Sequence, residues 1–238
     1  MLTVGIDLAS QPKNTALCAI GWTRQQARVQ ECRLNVTDAD IEAAAEHADK
    51  IGVDVPFGWP QAFTTAITAH NQRHLWPSAT SLELRYRRTD LYVQSATLKW
   101  PLSVSSDRIA CTAFRAAALL SRIEQRSGPI DRIGSGTFVE VYPRAARDRW
   151  LITSPDDLFG LTSDWLTVPD RIAIECRRSN DCFDALIAAL VTRAAAIRLC
   201  DSVPESDLES ASHEGWIALP QKESLTQLLS EERPASRG

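Results

Sequence analysis

The chain has 238 residues, of which 44% are hydrophobic and 24% charged, an ordinary composition for a globular protein with room for one large α/β domain. The net charge of -4 and pI near 5.6 argue against broad, non-specific binding of nucleic acid, which relies on a basic surface. We find no secretory signal and no apolar stretch approaching the ~20 residues that span a bilayer. These features predict a cytoplasmic protein without a membrane partner.

The six cysteines form no CxxC pair and have no zinc-like ligand spacing. Several lie inside apolar runs, where a free cysteine behaves as a small hydrophobic residue. We therefore expect reduced, structural thiols. The four histidines are scattered, and no Ser-His-Asp motif is visible.

Hydrophobic periodicity and turn residues define the elements. In chain order, the sequence predicts strands over 2–7, 15–22 and 27–34, a helix from Asp38 or Asp40 to about His47, a strand over 51–55, a helix over 109–123 capped by Ser106 or Asp107, a strand over 137–142, a helix opened by Pro143 and a helix over 181–200. The first three strands suit two consecutive hairpins. The last helix carries an apolar stripe with i, i+3, i+4, i+7 spacing.

The remaining segments set the domain organisation. Residues 56–106 mix helical signals with turn formers, so we interpret them as an insertion over the sheet edge. We expect one domain over 1–222, followed by a C-terminal helix and tail over 223–238, with residues 231–238 disordered.

Two acidic motifs carry the functional signal. Asp7 ends the first apolar strand, and Asp181 and Asp184 lie three residues apart at the start of the last helix, where both point from one face. Hard cations such as magnesium take oxygen ligands from few protein groups and leave room for water and phosphate. The pattern predicts a Mg²⁺ or Mn²⁺ site and chemistry on phosphate esters.

Six motifs in order resemble a family of predicted ribonuclease H-like nucleases, the domain-of-unknown-function family 429. They are Gly5-Ile6-Asp7-Leu8-Ala9, Val53-Asp54-Val55-Pro56-Phe57-Gly58, Arg88-Thr89-Asp90, Glu140-Val141-Tyr142-Pro143, a run from Asp181 to Leu190, and Glu214-Gly215-Trp216-Ile217. The resemblance covers about residues 2–220. It implies a ribonuclease H-like fold, with a mixed five-stranded sheet flanked by helices and an insertion after the fourth strand. It also implies a metal-dependent nuclease.

The fold implied by the resemblance would bring the acidic residues together. Asp7 on the first strand, Asp54 on the fourth and the helix carboxylates then converge, as in Holliday-junction resolvases of similar fold. Asp7 would bridge two metals about 4 Å apart, Asp54 and Asp184 would flank them, and Asp181 would be an additional ligand. Glu140 on the fifth strand is a further catalytic candidate, or the partner of Arg88 or Arg144.

Candidate substrate contacts come from three segments. Arg88 and Asp90 flank a threonine, and Arg88 has the planar fork that grips phosphate. Ser10 and Lys13 follow the first strand and are placed to approach a phosphate. Alternatives remain open for these residues. Arg88 and Asp90 can belong to a structural Arg–carboxylate pair that holds the insertion in place, and Lys13 can be a solvated loop residue.

Tryptophans add a further possibility. Trp59, Trp76 and Trp100 lie in the insertion, where they either stack on unpaired bases or pack the insertion onto its domain.

The acidic residues also have structural alternatives. Asp7 can cap a turn, Asp54 can hydrogen-bond the Val-Pro turn that follows it, and acids in the first turns of a helix favour its macrodipole. The leading hypothesis is a metal-dependent phosphodiesterase acting on nucleic acid or a nucleotide. A non-catalytic binding module and an actin-like nucleotide phosphotransferase are the competing hypotheses.

Overall fold

A six-stranded mixed sheet organises the fold in the computed structural model, which describes residues 1–230. The strands are β1 (Leu2–Asp7), β2 (Ala16–Trp22), β3 (Ala27–Arg33), β4 (Lys50–Asp54), β5 (Phe138–Glu140) and β6 (Leu166–Thr167), in the sheet order β5-β4-β1-β2-β3-β6. The first three strands form an antiparallel meander. On the other side of β1, β4 and β5 run parallel to it.

The expected strand count of five was wrong. A sixth strand, β6, pairs in parallel with β3 through Leu166 opposite Ala27 and Thr167 opposite Arg28. Two residues are too few to show the alternation by which a strand is recognised in a sequence. The five predicted strands and the α/β class are confirmed.

The helices surround the sheet. They are α1 (Asp38–Ala45), α2 (Gln61–Asn71), α3 (Ser81–Arg85), α4 (Arg88–Thr97), α5 (Ile109–Ser127), α6 (Pro143–Trp150), α7 (Pro155–Thr162), α8 (Asp170–Arg178), α9 (Asn180–Ala196) and α10 (Leu208–Glu214). The predicted insertion contains α2, α3 and α4. Ser106 and Asp107 do not cap α5, since its N-cap is Arg108, which makes no side-chain cap.

Hydrophobic layers cover both faces of the sheet. On one face, α9 packs Leu186, Ala188 and Leu190 into a buried cluster with β2 and β5. On the other face, Ile6 of β1 and Val53 of β4 pack with α5. A strand covered on both faces is mostly apolar, as β1 is. The carboxylate at its last position is therefore unusual for such a strand.

The cysteines are closer together than their spacing in the sequence indicates. All six are free thiols. The Cys32 and Cys176 sulfurs lie 3.5 Å and 3.9 Å from the backbone oxygen of Cys182, at the start of α9. Cys18 faces Cys32 in the β2–β3 register, so four thiols from separate elements gather beneath this helix start.

The C-terminal region continues beyond α10 as a 3-10 helix over Ser224–Gln227. The predicted disordered segment, 231–238, lies outside the described residues. Within residues 1–230, each helix is either too short or too polar to cross a membrane.

Gly5 is where α9 comes closest to β1. A Cβ atom built on Gly5 would lie 2.1 Å from the Ala189 nitrogen and 2.3 Å from the Ala185 oxygen, both in the α9 backbone. Real Cβ atoms do not approach backbone so closely, so the helix can lie on the strand only because residue 5 has no side chain.

Gly5→Ala therefore should destabilise the protein by about 3 kcal/mol or more, since the helix must move away from the central strand. Gly160→Ala in α7 is the matched control, because no neighbouring atom of residues 1–230 lies within 4 Å of the added Cβ. That variant should gain about 1 kcal/mol. Urea unfolding measures both, and a Gly5→Ala protein as stable as the wild type would contradict the packing.

Candidate active site

Two carboxylates stand side by side at one edge of the sheet. Asp7 is the last residue of β1 and Asp54 the last of β4, and the two are direct partners in the parallel register. Both are partly exposed. The carboxyl ends of parallel strands are the edge at which open α/β sheets bind ligands.

The start of α9 adds charge to the same place. Burial, followed by the charges of Asp184 and Asp181, raises the pKa of Asp7 from 3.8 to about 8. Burial and the charges of Asp7 and Asp184 also raise the pKa of Asp54 well above its ordinary value. The structure thus brings together four sequence-predicted residues, Asp7, Asp54, Asp181 and Asp184, called the carboxylate cluster below.

Asp184 forms a salt bridge with Arg147 that lacks hydrogen-bond geometry. The Arg147 Nη1 atom lies 3.3 Å from its Oδ1 atom, and the Arg147 guanidinium sits over the Phe183 ring. The geometry is not that of a hydrogen bond, and this buried oxygen has no hydrogen-bond partner within residues 1–230. Burial raises the pKa of Asp184, and Arg147 opposes that rise.

The donor chemistry of the cluster suits a hard divalent cation, since every candidate ligand atom is a carboxylate oxygen. The Asp184 oxygen that lacks a hydrogen-bond partner within residues 1–230 fits the same interpretation. However, no three His, Cys, Asp or Glu side chains within residues 1–230 are arranged so that they could together hold a metal ion. The carboxylates are therefore close enough to repel one another without forming a closed ligand shell.

Glu140 lines the same cleft as Asp54, but its carboxylate belongs to a buried ion-pair network. Its Oε1 and Oε2 atoms accept hydrogen bonds from Arg87 Nη2 and Nη1 at 2.7 Å and 2.8 Å, and Oε2 also accepts one from the Phe57 backbone at 3.0 Å. Asp90 holds the same guanidinium from the other side at 2.9 Å. Arg87, Asp90 and Glu140 are each at most 2% exposed.

This network assigns Glu140 and Asp90 structural partners. Both were predicted at the reaction site, yet their oxygens are committed to Arg87, which pins the start of α4 to β5. The partners predicted for Glu140 were Arg88 or Arg144, whereas the structure shows Arg87. The i, i+3 spacing of Arg87 and Asp90 is the sequence signal for the other half of the network.

The remaining predicted contacts lie on the surface. Arg88 Nε donates to Asp207 Oδ1 at 2.8 Å, while its backbone nitrogen donates to Glu214. Ser10 and Lys13 are exposed in the loop after β1. The structure does not place these three residues in contact with the carboxylate cluster.

Two residues near the cluster were not predicted as part of it. Tyr142 follows β5, and burial and the charge of Asp54 raise the pKa of its hydroxyl. Arg147 lies three residues after Arg144 on α6, so both cations share a helix face toward Asp184. The spacing of the arginines after Pro143 was the sequence signal for that face.

The comparisons with known proteins give one finding. A family model described as a protein of unknown function (DUF429) matches residues 5–156, a segment that contains Asp7, Asp54 and Glu140 and ends before α9. No curated protein and no solved structure matches the chain.

Disrupting the buried ion-pair network of Arg87, Asp90 and Glu140 should destabilise the protein. Glu140→Ala leaves Arg87 paired with Asp90, but it removes two buried hydrogen bonds to the guanidinium and the acceptor of the Phe57 backbone N–H. We therefore expect a loss of about 3 kcal/mol in the free energy of unfolding. Lys99→Ala removes the half-exposed partner of Asp148 and should cost at most about 1 kcal/mol. Urea unfolding of the two variants tests this, and equal small losses would contradict a structural role for Glu140.

The raised pKa of Asp7 predicts a pH dependence of stability in EDTA. The unfolded chain loses the Asp7 proton near pH 4 and the folded protein near pH 8, so the folded state binds more protons between these values. The free energy of unfolding therefore falls as pH rises from 4 to 8, and this contribution does not fall further above pH 8. The raised pKa of Asp54 likewise lowers the free energy of unfolding as the pH rises.

Asp7→Asn removes the proton and the charge at this position. Its melting temperature should exceed that of the wild type by an amount that grows from pH 5 to pH 8. Asp156→Asn, at a carboxylate that is 69% exposed, should parallel the wild type. If Asp7→Asn and the wild type had parallel pH profiles, Asp7 would not be a buried, repelled acid.

Proposed function

We propose that this chain, which belongs to the DUF429 family of proteins of unknown function, is a metal-dependent nuclease with a ribonuclease H-like fold. The observation that carries the proposal is the pairing of Asp7 and Asp54 beside Asp184, where burial and like charge raise all three pKa values. Such a cluster is stable only with bound protons or a cation.

The sheet topology supports the fold assignment. An antiparallel meander β1-β2-β3 is followed by β4 and β5 in parallel with β1, and β1 lies inside the sheet. This is the arrangement that the family resemblance implies, with β6 added at the far edge. It brings the first and fourth strands together as neighbours, which is why Asp7 and Asp54 are adjacent.

Asp7, Asp54 and Asp184 are the residues that would hold Mg²⁺ or Mn²⁺, with Asp181 beside them. The bound ion would activate water and stabilise the leaving oxygen in phosphodiester hydrolysis. Arg147, which lies beside Asp184, and Arg144, which is exposed on the same helix, would be the cations available for a substrate phosphate.

A second candidate function is a non-catalytic binding module. Its support is that no three His, Cys, Asp or Glu side chains within residues 1–230 are arranged to hold a metal ion. Such a module would keep the acidic residues for folding or for contact with a basic ligand, and it would cleave nothing.

Cleavage assays test the nuclease proposal. Purified protein with Mn²⁺ should hydrolyse DNA or RNA oligonucleotides, and Asp7→Asn should lower the rate by about 10²-fold or more. Circular dichroism verifies that the variant is folded, and Asp156→Asn serves as the exposed-carboxylate control. Undiminished cleavage by folded Asp7→Asn would refute the proposed site, and no cleavage of any oligonucleotide by the wild type would favour the binding module.

A further inference from the structure

A cleft of about 300 Å³ opens beside the carboxylate cluster, with Asp54 in its wall. The cleft is also lined by Trp100 and Leu102 from the loop after α4, and by Tyr142 and Arg144 after β5. The volume is at the lower limit of small-molecule sites, so the cleft suits one nucleotide-sized group. A double helix cannot enter a space of this size.

One wall of the cleft is apolar and aromatic. Trp100 is 46% exposed and Leu102 is 57% exposed, although both have large apolar side chains. The Trp100 ring packs on Tyr86 with a centroid distance of 4.5 Å, and Arg85 lies 5.0 Å from the Tyr86 ring. Trp100 is therefore held by Tyr86 while part of its surface remains exposed to solvent. Aromatic side chains exposed in this way are the ones on which unpaired bases stack.

Polar side chains also line the cleft. Arg144 is an exposed cation on α6. The Tyr142 hydroxyl makes no hydrogen bond with any other residue of the described chain, and the charge of Asp54 acts on it. A guanidinium and a free hydroxyl donor together recognise an anionic oxygen such as that of phosphate.

We infer that this cleft binds one unpaired nucleotide of the substrate, with its base against Trp100 and Leu102 and its phosphate at Arg144 and Tyr142. Asp54 lines the same cleft as Arg144 and Tyr142, so a phosphate bound there lies beside the carboxylate cluster. The inference rests on the proposed nuclease function and narrows it to single-stranded or locally unpaired nucleic acid.

Binding measurements test the cleft separately from catalysis. The probe is a fluorescent single-stranded oligonucleotide of about five nucleotides, as DNA and as RNA, measured by anisotropy in EDTA on the Asp7→Asn background. The matched control is Trp76→Ala, because Trp76 is also 46% exposed but lies outside the cleft. Trp100→Phe preserves an aromatic ring.

We expect Trp100→Ala to weaken binding about tenfold or more, Trp100→Phe to recover most of it, and Trp76→Ala to leave it unchanged. Arg144→Ala should weaken binding as well, and a blunt duplex of the same sequence should bind about tenfold less tightly than the single strand. Equal binding by Trp100→Ala and Trp76→Ala, equal binding of duplex and single strand, or no oligonucleotide binding would overturn the inference.

The two proposals fail in distinguishable ways. If binding depends on Trp100 but the wild-type protein with Mn²⁺ cleaves nothing, the nuclease proposal fails and the nucleotide cleft stands. If the wild type cleaves oligonucleotides but Trp100→Ala leaves both binding and KM unchanged, the cleft is wrong and the nuclease proposal stands.

Discussion

The packing of α9 on β1 is the constraint on which the site depends. Gly5 lets the helix backbone lie against the strand, and Ala185 and Ala189 are the residues it meets. Because α9 begins near the end of β1, this contact sets the distance between the Asp184 carboxylate and Asp7. A side chain at residue 5 would move the helix outward and separate the charges that define the carboxylate cluster.

The acids of this protein have two different environments. Glu140 and Asp90 are buried, and both are held by the guanidinium of Arg87. Asp7 and Asp54 are partly buried and have no such cation within residues 1–230, and their pKa values rise by burial and by the charges of neighbouring acids. Clusters of acids with strongly raised pKa values are typical of functional sites, whereas matched pairs hold elements together. By this contrast, Asp7 and Asp54 belong to the candidate active site, whereas the ion-pair network of Arg87 holds the surrounding elements in place.

Local sequence patterns predicted much of the fold and part of the candidate active site. The apolar run ending in Asp7 and the stripe of α9 are strong local signals, so β1 and α9 were predicted closely. The role of Glu140 could not be decided from the sequence, because an acid on a strand has the same sequence pattern whether it faces a metal or an arginine. Its partner, Arg87, lies 53 residues away, and only the tertiary fold shows that contact. The two-residue β6 carries no periodicity at all.

Calorimetric titration with Mn²⁺ tests the central claim most directly, because it requires no guess about the substrate. The wild type should show saturable binding with release of protons at pH 7, since a cation displaces the proton that Asp7 retains up to about pH 8. Asp7→Asn and Asp184→Asn should lose that binding, and Asp156→Asn should keep it. No binding at millimolar Mn²⁺, or equal binding by all four proteins, would contradict a metal site at the carboxylate cluster.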